Sequence, residues 1–193
     1  SGGQSYSRMS TIEVNTIKPI SGSSTITLGE SGDTIALASG ASQTLAANTP
    51  AFEAKISSTQ SVSNNTSTKA SFNTENFDTD NCYDHSSNYR FTPNVAGKYF
   101  VYCQLYIDGM SASNFNDAKV LIKKNGSTII DGTKNMSNNP PKGMAMPVSA
   151  ILDMNGSSDY VEIWGYISSI NNNASQFLAN EYSLFGAYKI VGA

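Results

Sequence analysis

The longest β-rich segment of the chain, residues 98–108, carries apolar side chains on both faces of the strand that it predicts. Side chains point alternately to the two sides of a strand. One face therefore holds Tyr99, Val101, Cys103, Leu105 and Ile107, and the other holds Phe100, Tyr102, Gln104 and Tyr106. A strand with one wet face alternates apolar with polar residues, so this strand is expected to be covered on both sides. The pattern predicts one face against the core and the other against a second subunit.

Shorter strand patterns, separated by turn residues, occupy the rest of the chain from Pro50 onward. Asn125-Gly126 is a strong hairpin signal. No segment shows convincing helical periodicity, and many short strands with turns between them favour an antiparallel sandwich or barrel. We predict further strands at 51–57, 68–73, 118–123, 127–132, 144–154, 160–168 and 182–191, with polar connections or loops at 60–65, 77–89, 109–116 and 135–143.

Two similar units, residues 21–28 and 31–37, precede this region, and each is a Gly turn followed by a strand with two apolar residues. About three such repeats are needed before a core closes, so we predict that other chains supply the missing strands. Residues 10–48 are then a β stalk that trimerises the chain; a flexible Ser/Gly linker is the alternative. Residues 1–9 show no pattern and are interpreted as a tag or disordered leader. The stalk residues expected between chains are Ile26, Leu28, Ile35 and Leu37.

Motifs from residue 50 to the end of the chain point to one fold family. Phe91, Pro93 and the run GKYFV at 97–101 resemble the "F..P..G.Y.F" signature of the C1q/TNF-like jelly-roll superfamily, in which a turn feeds a central strand. The resemblance implies an all-β, C1q/TNF-like antiparallel jelly-roll head over residues 50–193, assembled as a homotrimer. Further motifs follow in the family's order at 51–54, 72–73, 120–126, 159–163 and 183–188, with Ser158 where the family usually has Gly.

The segment MSTIEVNTIKPISGSS at 9–24, with the repeat that follows, resembles the N-terminal stalks of bacteriophage fibre proteins, especially those of marine phages. Such fibres often carry C1q-like tips. The resemblance implies a virion protein that is assembled in the host cytoplasm. Its stalk would bind other virion proteins.

Charge and hydropathy narrow the possible partners. Only 14% of the 193 residues are charged, the net charge is −3 and the pI is about 5.0, so no basic field is present to hold nucleic acid. No apolar run approaches the roughly 20 residues that a membrane-spanning helix needs, and no leader marks secretion. We therefore expect a soluble protein that does not insert into membranes.

Cys82 and Cys103 permit either one disulfide or two free thiols, and their spacing does not indicate zinc. On the apolar face of its strand, Cys103 is expected to act as a small buried hydrophobe. The only histidine, His85, lies between Asp84 and Ser86. Sequence neighbours do not make a catalytic triad, and no Gly-x-Ser-x-Gly motif is present, so we expect no enzymatic activity.

Three spaced carboxylates, Asp78, Asp80 and Asp84, are the only metal candidates that we consider. The glycine and closing glutamate of an EF-hand loop are absent, which excludes that motif. Some C1q-like trimers bind calcium, so the resemblance leaves two interpretations: a calcium site of another kind or a solvated acidic loop. No other cofactor is expected.

Two sets of residues are candidates for ligand binding. Tyr160, Trp164 and Tyr166 share one face of a predicted strand, opposite Val161 and Ile163, and a row of rings suits either sugar stacking or cover by a loop or subunit. In C1q-like folds the chain enters and leaves at one end, so interstrand loops should form the distal surface. Two Asn-rich loops offer amide donors and acceptors there: Asn135, Asn138, Asn139, Lys142, Asn171, Asn172, Asn173 and Gln176.

These features predict a non-enzymatic phage fibre or spike whose trimeric head binds a receptor on the host cell surface, a glycan or a protein. A capsid decoration or assembly adapter that binds another virion protein is one alternative. A secreted C1q-like adhesion protein is a second, although the absence of a leader and of a collagen-like Gly-X-Y tract counts against it. The fold alone does not decide among them.

Overall fold

Short antiparallel strands make up most of the chain after residue 50. The computed structural model describes residues 16–17, 32, 34, 39, 48–111, 114–171 and 175–191. The chain divides into two compact units, residues 1–45 and residues 46–193. The predicted stalk contacts Ile26, Leu28, Ile35 and Leu37 lie outside the described residues, as do Asn172 and Asn173.

The described part of the second unit contains thirteen strands and one turn of 3-10 helix, Asn180–Tyr182. The strands are β1 Ala51–Lys55, β2 Gln60–Val62, β3 Thr68–Lys69, β4 Thr74–Asp78, β5 Tyr83–Asp84, β6 Arg90–Phe91, β7 Ala96–Asp108, β8 Phe115–Lys124, β9 Ser127–Asn135, β10 Gly143–Asn155, β11 Val161–Ser169, β12 Ser175–Phe177 and β13 Leu184–Lys189. Within the described ranges, no helix is long and apolar enough to cross a membrane.

The strands form two antiparallel sheets. The first, called here the β7 sheet, has the order β2-β12-β7-β13-β1-β4, with β10 also paired to β7. The second, the β11 sheet, has the order β5-β6-β11-β8-β9, with β3 also paired to β11. The buried apolar residues come from both sheets and form one core cluster. This is the arrangement of a β-sandwich, in which the inner faces supply the core.

Burial along β7 confirms the alternation predicted from the sequence for its inner face. Its odd-numbered residues from Tyr99 to Ile107 are all buried, whereas the even-numbered residues from Phe100 to Tyr106 are half-buried. The signature residues Phe91 and Tyr99 meet inside the core, with ring centroids 5.6 Å apart. Gly97 has a φ of +145°, a backbone conformation that favours glycine. The motif therefore marks the turn and the first core contacts of β7.

The region predicted as a loop at 77–89 contains the end of β4 and the short strand β5. Tyr83 is buried there, and its hydroxyl donates to the backbone oxygen of Phe72 at 2.8 Å. The strand predicted at 68–73 is limited to β3, and β2 lies in the predicted polar connection. Such short strands exist because distant strands pair with them, which a local pattern does not reveal.

The chain enters and leaves the sandwich at the same end. Ala51 pairs with Tyr188, and the backbone N–H of Lys189 donates to the oxygen of Pro50 at 3.2 Å. The pairing partners of Tyr188 also include Phe100, near the start of β7. Asp108, at the other end of β7, pairs with Gly143 and Gln176. Phe100 and Asp108 are eight positions apart along β7, which is a distance of about 27 Å.

Candidate functional site

The outer side of the β7 sheet carries exposed and half-buried aromatic and aliphatic side chains on and around β7. Tyr188 and Ile151 lie opposite Phe100 on the two neighbouring strands. Ile151 is 61% exposed, Tyr182 55% and Tyr188 39%. We call this surface the aromatic face and define it by Phe100, Tyr102, Gln104, Tyr106, Ile151, Tyr182 and Tyr188.

The rings of the aromatic face contact one another. Phe100 lies 5.6 Å from Tyr188 and 6.1 Å from Tyr102, measured between ring centroids. Tyr106 lies 5.4 Å from Tyr182. A groove of about 560 Å³ opens beside these rings, where β10 and β13 flank β7. Its lining residues are Phe100, Tyr102, Cys103, Gln104, Pro147, Val148, Ser149 and Leu184.

Tyr102 is anchored across the sheet. Its ring lies against Gly186, since a β-carbon at that glycine would be only 2.4 Å from the ring. The Tyr102 hydroxyl donates to Oε2 of Glu53 at 2.8 Å, and Nδ2 of Asn76 donates to Oε1 at 2.8 Å. Burial, followed by the hydrogen bond to Glu53, raises the pKa of Tyr102. The phenol is therefore neutral at physiological pH and acts as a donor.

The outer side of the β11 sheet combines cations with aromatic rings. Nζ of Lys123 lies 4.1 Å from the ring of Trp164, and Nζ of Lys69 lies 5.8 Å from it. The Arg90 guanidinium lies 4.5 Å from the ring of Tyr160. These are cation–π distances. We call this surface the cation–aromatic face and define it by Lys69, Arg90, Lys123, Tyr160, Glu162 and Trp164.

Glu162 is buried within the cation–aromatic face and has a partner for each oxygen. Lys69 donates to Oε1 at 2.6 Å, and the indole N–H of Trp164 donates to Oε2 at 3.1 Å. Tyr166, farther along β11, donates its hydroxyl to Oδ1 of Asn65 at 3.0 Å. The structure thus brings the predicted residues Tyr160, Trp164 and Tyr166 to one side of β11. Sugar stacking remains a prediction, because cations lie against two of the three rings.

The candidate calcium ligands lie in turns around β4 and β5. Asp84 accepts hydrogen bonds from the backbone N–H groups of Ser86, Ser87 and Asn88, at 2.9 to 3.2 Å. The bond from Ser87 is the main cause that holds the pKa of Asp84 far below its usual value.

Asp78 and Asp80 have nearby donors of their own. Asp78 accepts the N–H of Tyr83 at 2.8 Å, and Asp80 accepts the hydroxyl of Thr79 at 2.5 Å. Across the described ranges, the structure shows no group of three or more His, Cys, Asp or Glu that is arranged to hold a metal ion. The three carboxylates accept hydrogen bonds within these turns, and a calcium site stays a prediction.

The polar neighbours of His85 do not converge on it. Its Nδ1 atom lies 2.7 Å from Oε1 of Glu75, whereas Ser86 donates its hydroxyl to Asp84 at 3.2 Å. Cys82 and Cys103 are free buried thiols. Of the two alternatives left open by the sequence, the structure therefore has two free thiols rather than a disulfide. Burial raises the pKa of Cys103 well above its ordinary value, which makes this thiol a poor nucleophile.

Comparisons with known proteins bear on the fold. No protein-family model matches the chain, and no curated protein matches it. Among solved structures, the globular domain of zebrafish complement 1qA protein is similar, with a TM-score of 0.52 and 14% identity over 73% of this chain and 97% of that one. Eiger TNF from S. frugiperda has a TM-score of 0.52 and 13% identity over 75% and 95%. Murine APRIL has a TM-score of 0.54 and 10% identity over 72% and 98%. This chain has a C1q/TNF-like jelly-roll fold.

The jelly roll carries a cluster of polar loops at the Asp108 end of β7. Buried Asn114 connects them, since it donates to the oxygen of Gly109 at 2.9 Å and accepts the N–H of Asn171 at 3.0 Å. Gln176 donates to Asp108 at 2.9 Å. We call residues 109–111, 136–142 and 170–171 the distal loops. Sequence reasoning missed Asn114, because nothing in its neighbourhood distinguishes it from other loop asparagines.

Some of the residues predicted to bind a ligand have hydrogen-bond partners within the fold, and others face solvent at the distal loops. Asn135 donates to Asp117 at 2.5 Å and so closes the end of the β8–β9 pair. Gln176 is likewise bonded within the fold. Of the predicted set, the side chains of Asn138, Asn139, Lys142 and Asn171 are exposed at the distal loops. These four are the members of the predicted set that are accessible to a ligand there.

Proposed function

We propose that this chain is the head of a non-enzymatic, homotrimeric bacteriophage fibre or spike and that it binds a receptor on the host cell surface. Three copies would pack through the aromatic face around a three-fold axis. Other virion proteins would hold the N-terminal segment, and the protein would be located in the virion.

The aromatic face is the observation that carries the proposal. Tyr182, Tyr188 and Ile151 are exposed in the single chain and the other rings are half-buried, and contiguous apolar surfaces of this kind mark interaction sites. The centre of a protein interface is typically rich in aromatic residues and poor in charge. Glu53, a carboxylate that reaches into this surface, is bonded to Tyr102 and Asn76. The C1q/TNF-like fold supports a homotrimer as the assembly.

The position of the chain ends supports the receptor-binding part of the proposal. The chain enters and leaves near Phe100, so the distal loops are free to face a ligand. Three copies of a weak site on one particle would gain avidity of about 10² or more when they engage one cell surface. The resemblance of residues 9–48 to phage stalks supports placement in a virion.

Two measurements on the full chain test the proposal. Light scattering should give a particle about three times the 20.6 kDa mass of one chain, and a stable monomer would overturn the trimer. The purified protein should also adsorb to some members of a panel of marine bacteria and compete there with phage infection. If it adsorbs to none of them but binds purified capsid or tail components, it is a decoration or adapter protein instead.

A further inference from the structure

A polar depression of about 360 Å³ lies at the edge of the β11 sheet, where β5 pairs with β6. Arg90, Thr92 and Asp84 belong to its walls. It adjoins the cation–aromatic face, because Arg90 lies over the ring of Tyr160. The residues that line it are Asn81, Cys82, Tyr83, Asp84, Arg90 and Thr92.

Arg90 has no ion-pair partner among the described residues, although two carboxylates lie beside it. It is half-buried and has two carboxylates as pairing neighbours, Asp84 on β5 and Glu162 on β11. Asp84 is bonded to the 86–88 turn instead, and Glu162 is bonded to Lys69 and Trp164. Both carboxylates that could neutralise Arg90 therefore have other partners.

Three side chains with donor groups in the depression have no hydrogen-bond acceptor among the described residues. Within the ranges that the structure describes, the Arg90 guanidinium makes no ion pair and no hydrogen bond, and its contact is the Tyr160 ring. The side chains of Asn81 and Thr92 likewise make no hydrogen bond to a described residue. A guanidinium carries five N–H donors in a planar fork that matches a carboxylate. The cation–π contact restricts that fork to one region and so prepares it for a ligand.

We propose that this depression binds the carboxylate of an acidic saccharide, with Arg90 as the bidentate donor. This rests on the proposed function in taking a cell-surface glycan as the ligand, and it names the chemical class. The Asn81 amide and the Thr92 hydroxyl would bond to sugar hydroxyl groups next to the carboxylate. Lys123, which faces Glu162 from β8, supplies a second cation on the same face and favours a saccharide with more than one acidic residue.

Calorimetric titration of the full chain at low salt tests the site. The probe is a galacturonic acid tetramer, and the matched control is its methyl ester, which keeps the sugar and removes the charge. The acid should bind and the ester should bind at least about tenfold more weakly, because a hydrogen-bonded charge pair is lost. A sulfated oligosaccharide of the same length should bind more weakly than the acid.

Variants connect the binding to particular side chains. Arg90→Gln should weaken binding of the acid about tenfold or more. The affinity of Arg90→Lys should lie between those of the unmodified chain and Arg90→Gln, because lysine keeps the charge but lacks the planar fork of donors. Tyr160→Leu should lower the affinity for the acid about threefold, because the cation–π contact is lost, whereas Tyr160→Phe should bind the acid like the unmodified chain. Lys119→Gln, on a lysine that pairs with Asp131 at 3.6 Å, is the charge control and should change nothing.

The proposal would be overturned if the unmodified chain does not bind the acid, if it binds the acid and the ester equally, or if Arg90→Gln binds the acid as tightly as the unmodified chain. Stronger binding of the sulfated probe would overturn the assignment to a carboxylate. Melting temperatures of all variants show whether each has folded, and Arg90→Lys keeps the test usable if Arg90→Gln has not. If the protein adsorbs to cells but does not bind the acid, the proposed function stands and this inference is wrong. If it binds the acid but does not adsorb to cells, the saccharide site stands and the proposed function is wrong.

Discussion

The Tyr102 hydroxyl donates a 2.8 Å hydrogen bond to Glu53 across an intervening strand of the β7 sheet. Tyr102 pairs with Gly186, and Gly186 pairs with Glu53, so the three residues lie in one row over β7, β13 and β1. Glycine in the middle leaves room for the ring, because any larger residue there would overlap it. The contact fixes a carboxylate that reaches into the aromatic face.

Replacing Tyr102 with Phe should lower the free energy of unfolding by about 1 kcal/mol, because the partly buried hydrogen bond to Glu53 is lost while the ring stays. For a chain of this length that corresponds to about 2–4 °C in melting temperature. Tyr106→Phe is the control, since the described residues give the Tyr106 hydroxyl no hydrogen-bond partner. Thermal unfolding at one protein concentration is the measurement. Equal losses in both variants would mean that the Glu53 bond contributes nothing.

Ile151→Glu should disrupt the trimer without unfolding the chain. Ile151 is 61% exposed in the single chain, so a charge there costs little in a monomer, but burying it at a subunit interface costs several kcal/mol per chain. Ile129→Glu, at a 45% exposed isoleucine of the other sheet, should leave assembly unchanged. Light scattering and circular dichroism report mass and fold. A trimer that survives Ile151→Glu would place the interface elsewhere.

Removing residues 1–48 should leave a trimer that melts at a lower temperature. The head would still assemble through the aromatic face, but the interfaces predicted at Ile26, Leu28, Ile35 and Leu37 would be lost, and linked association stabilises the folded state. Calorimetry of the full chain and of a chain that begins at Thr49 makes the comparison. Identical melting temperatures would favour a flexible linker over a stalk.

Asp84→Asn should reduce the loss of stability in acid. The pKa of Asp84 is lowered in the folded chain, mainly by the N–H of Ser87, so ionised Asp84 stabilises the fold. A group with a lowered folded pKa contributes stability above its unfolded value, here 3.8, and loses that contribution as the pH falls below it. Denaturant unfolding between pH 2 and pH 6 should therefore show a shallower slope for the variant. Unchanged pH dependence would contradict this role of Asp84.

Asn114→Ala should destabilise the distal loops. The side chain is fully buried and bonds to Gly109 and to Asn171, so its removal leaves buried backbone groups unpaired at a cost of about 2–3 kcal/mol. Asn138→Ala, at an exposed position of the same loop cluster, should be neutral. Hydrogen exchange should show faster opening near Gly109 and Asn171 in the first variant only. Similar exchange in both variants would mean that Asn114 does not hold these loops.

The period-two pattern of residues 98–108 was sufficient to predict which side chains of β7 enter the core. Alternation is a local property of an extended chain, and a strand face made only of apolar residues is most stable against the core. The burial of the odd-numbered residues from Tyr99 to Ile107 therefore followed from the sequence. The same reasoning placed Trp164 and Tyr166 on the side of β11 opposite Ile163. The signature around Phe91 and Gly97 indicated the jelly roll through resemblance.

Only the tertiary structure determined which residues meet across strands. Tyr102 and Glu53 are 49 positions apart, and Lys69 and Glu162 are 93 apart. No local pattern predicts either pair, because strand register depends on how distant segments pack together. The same holds for Asn114 and for the short strands β2, β3 and β5. Arg90 shows this most clearly: its two neighbouring carboxylates are visible only after pairing, and only the folded structure shows that other donors hold them both.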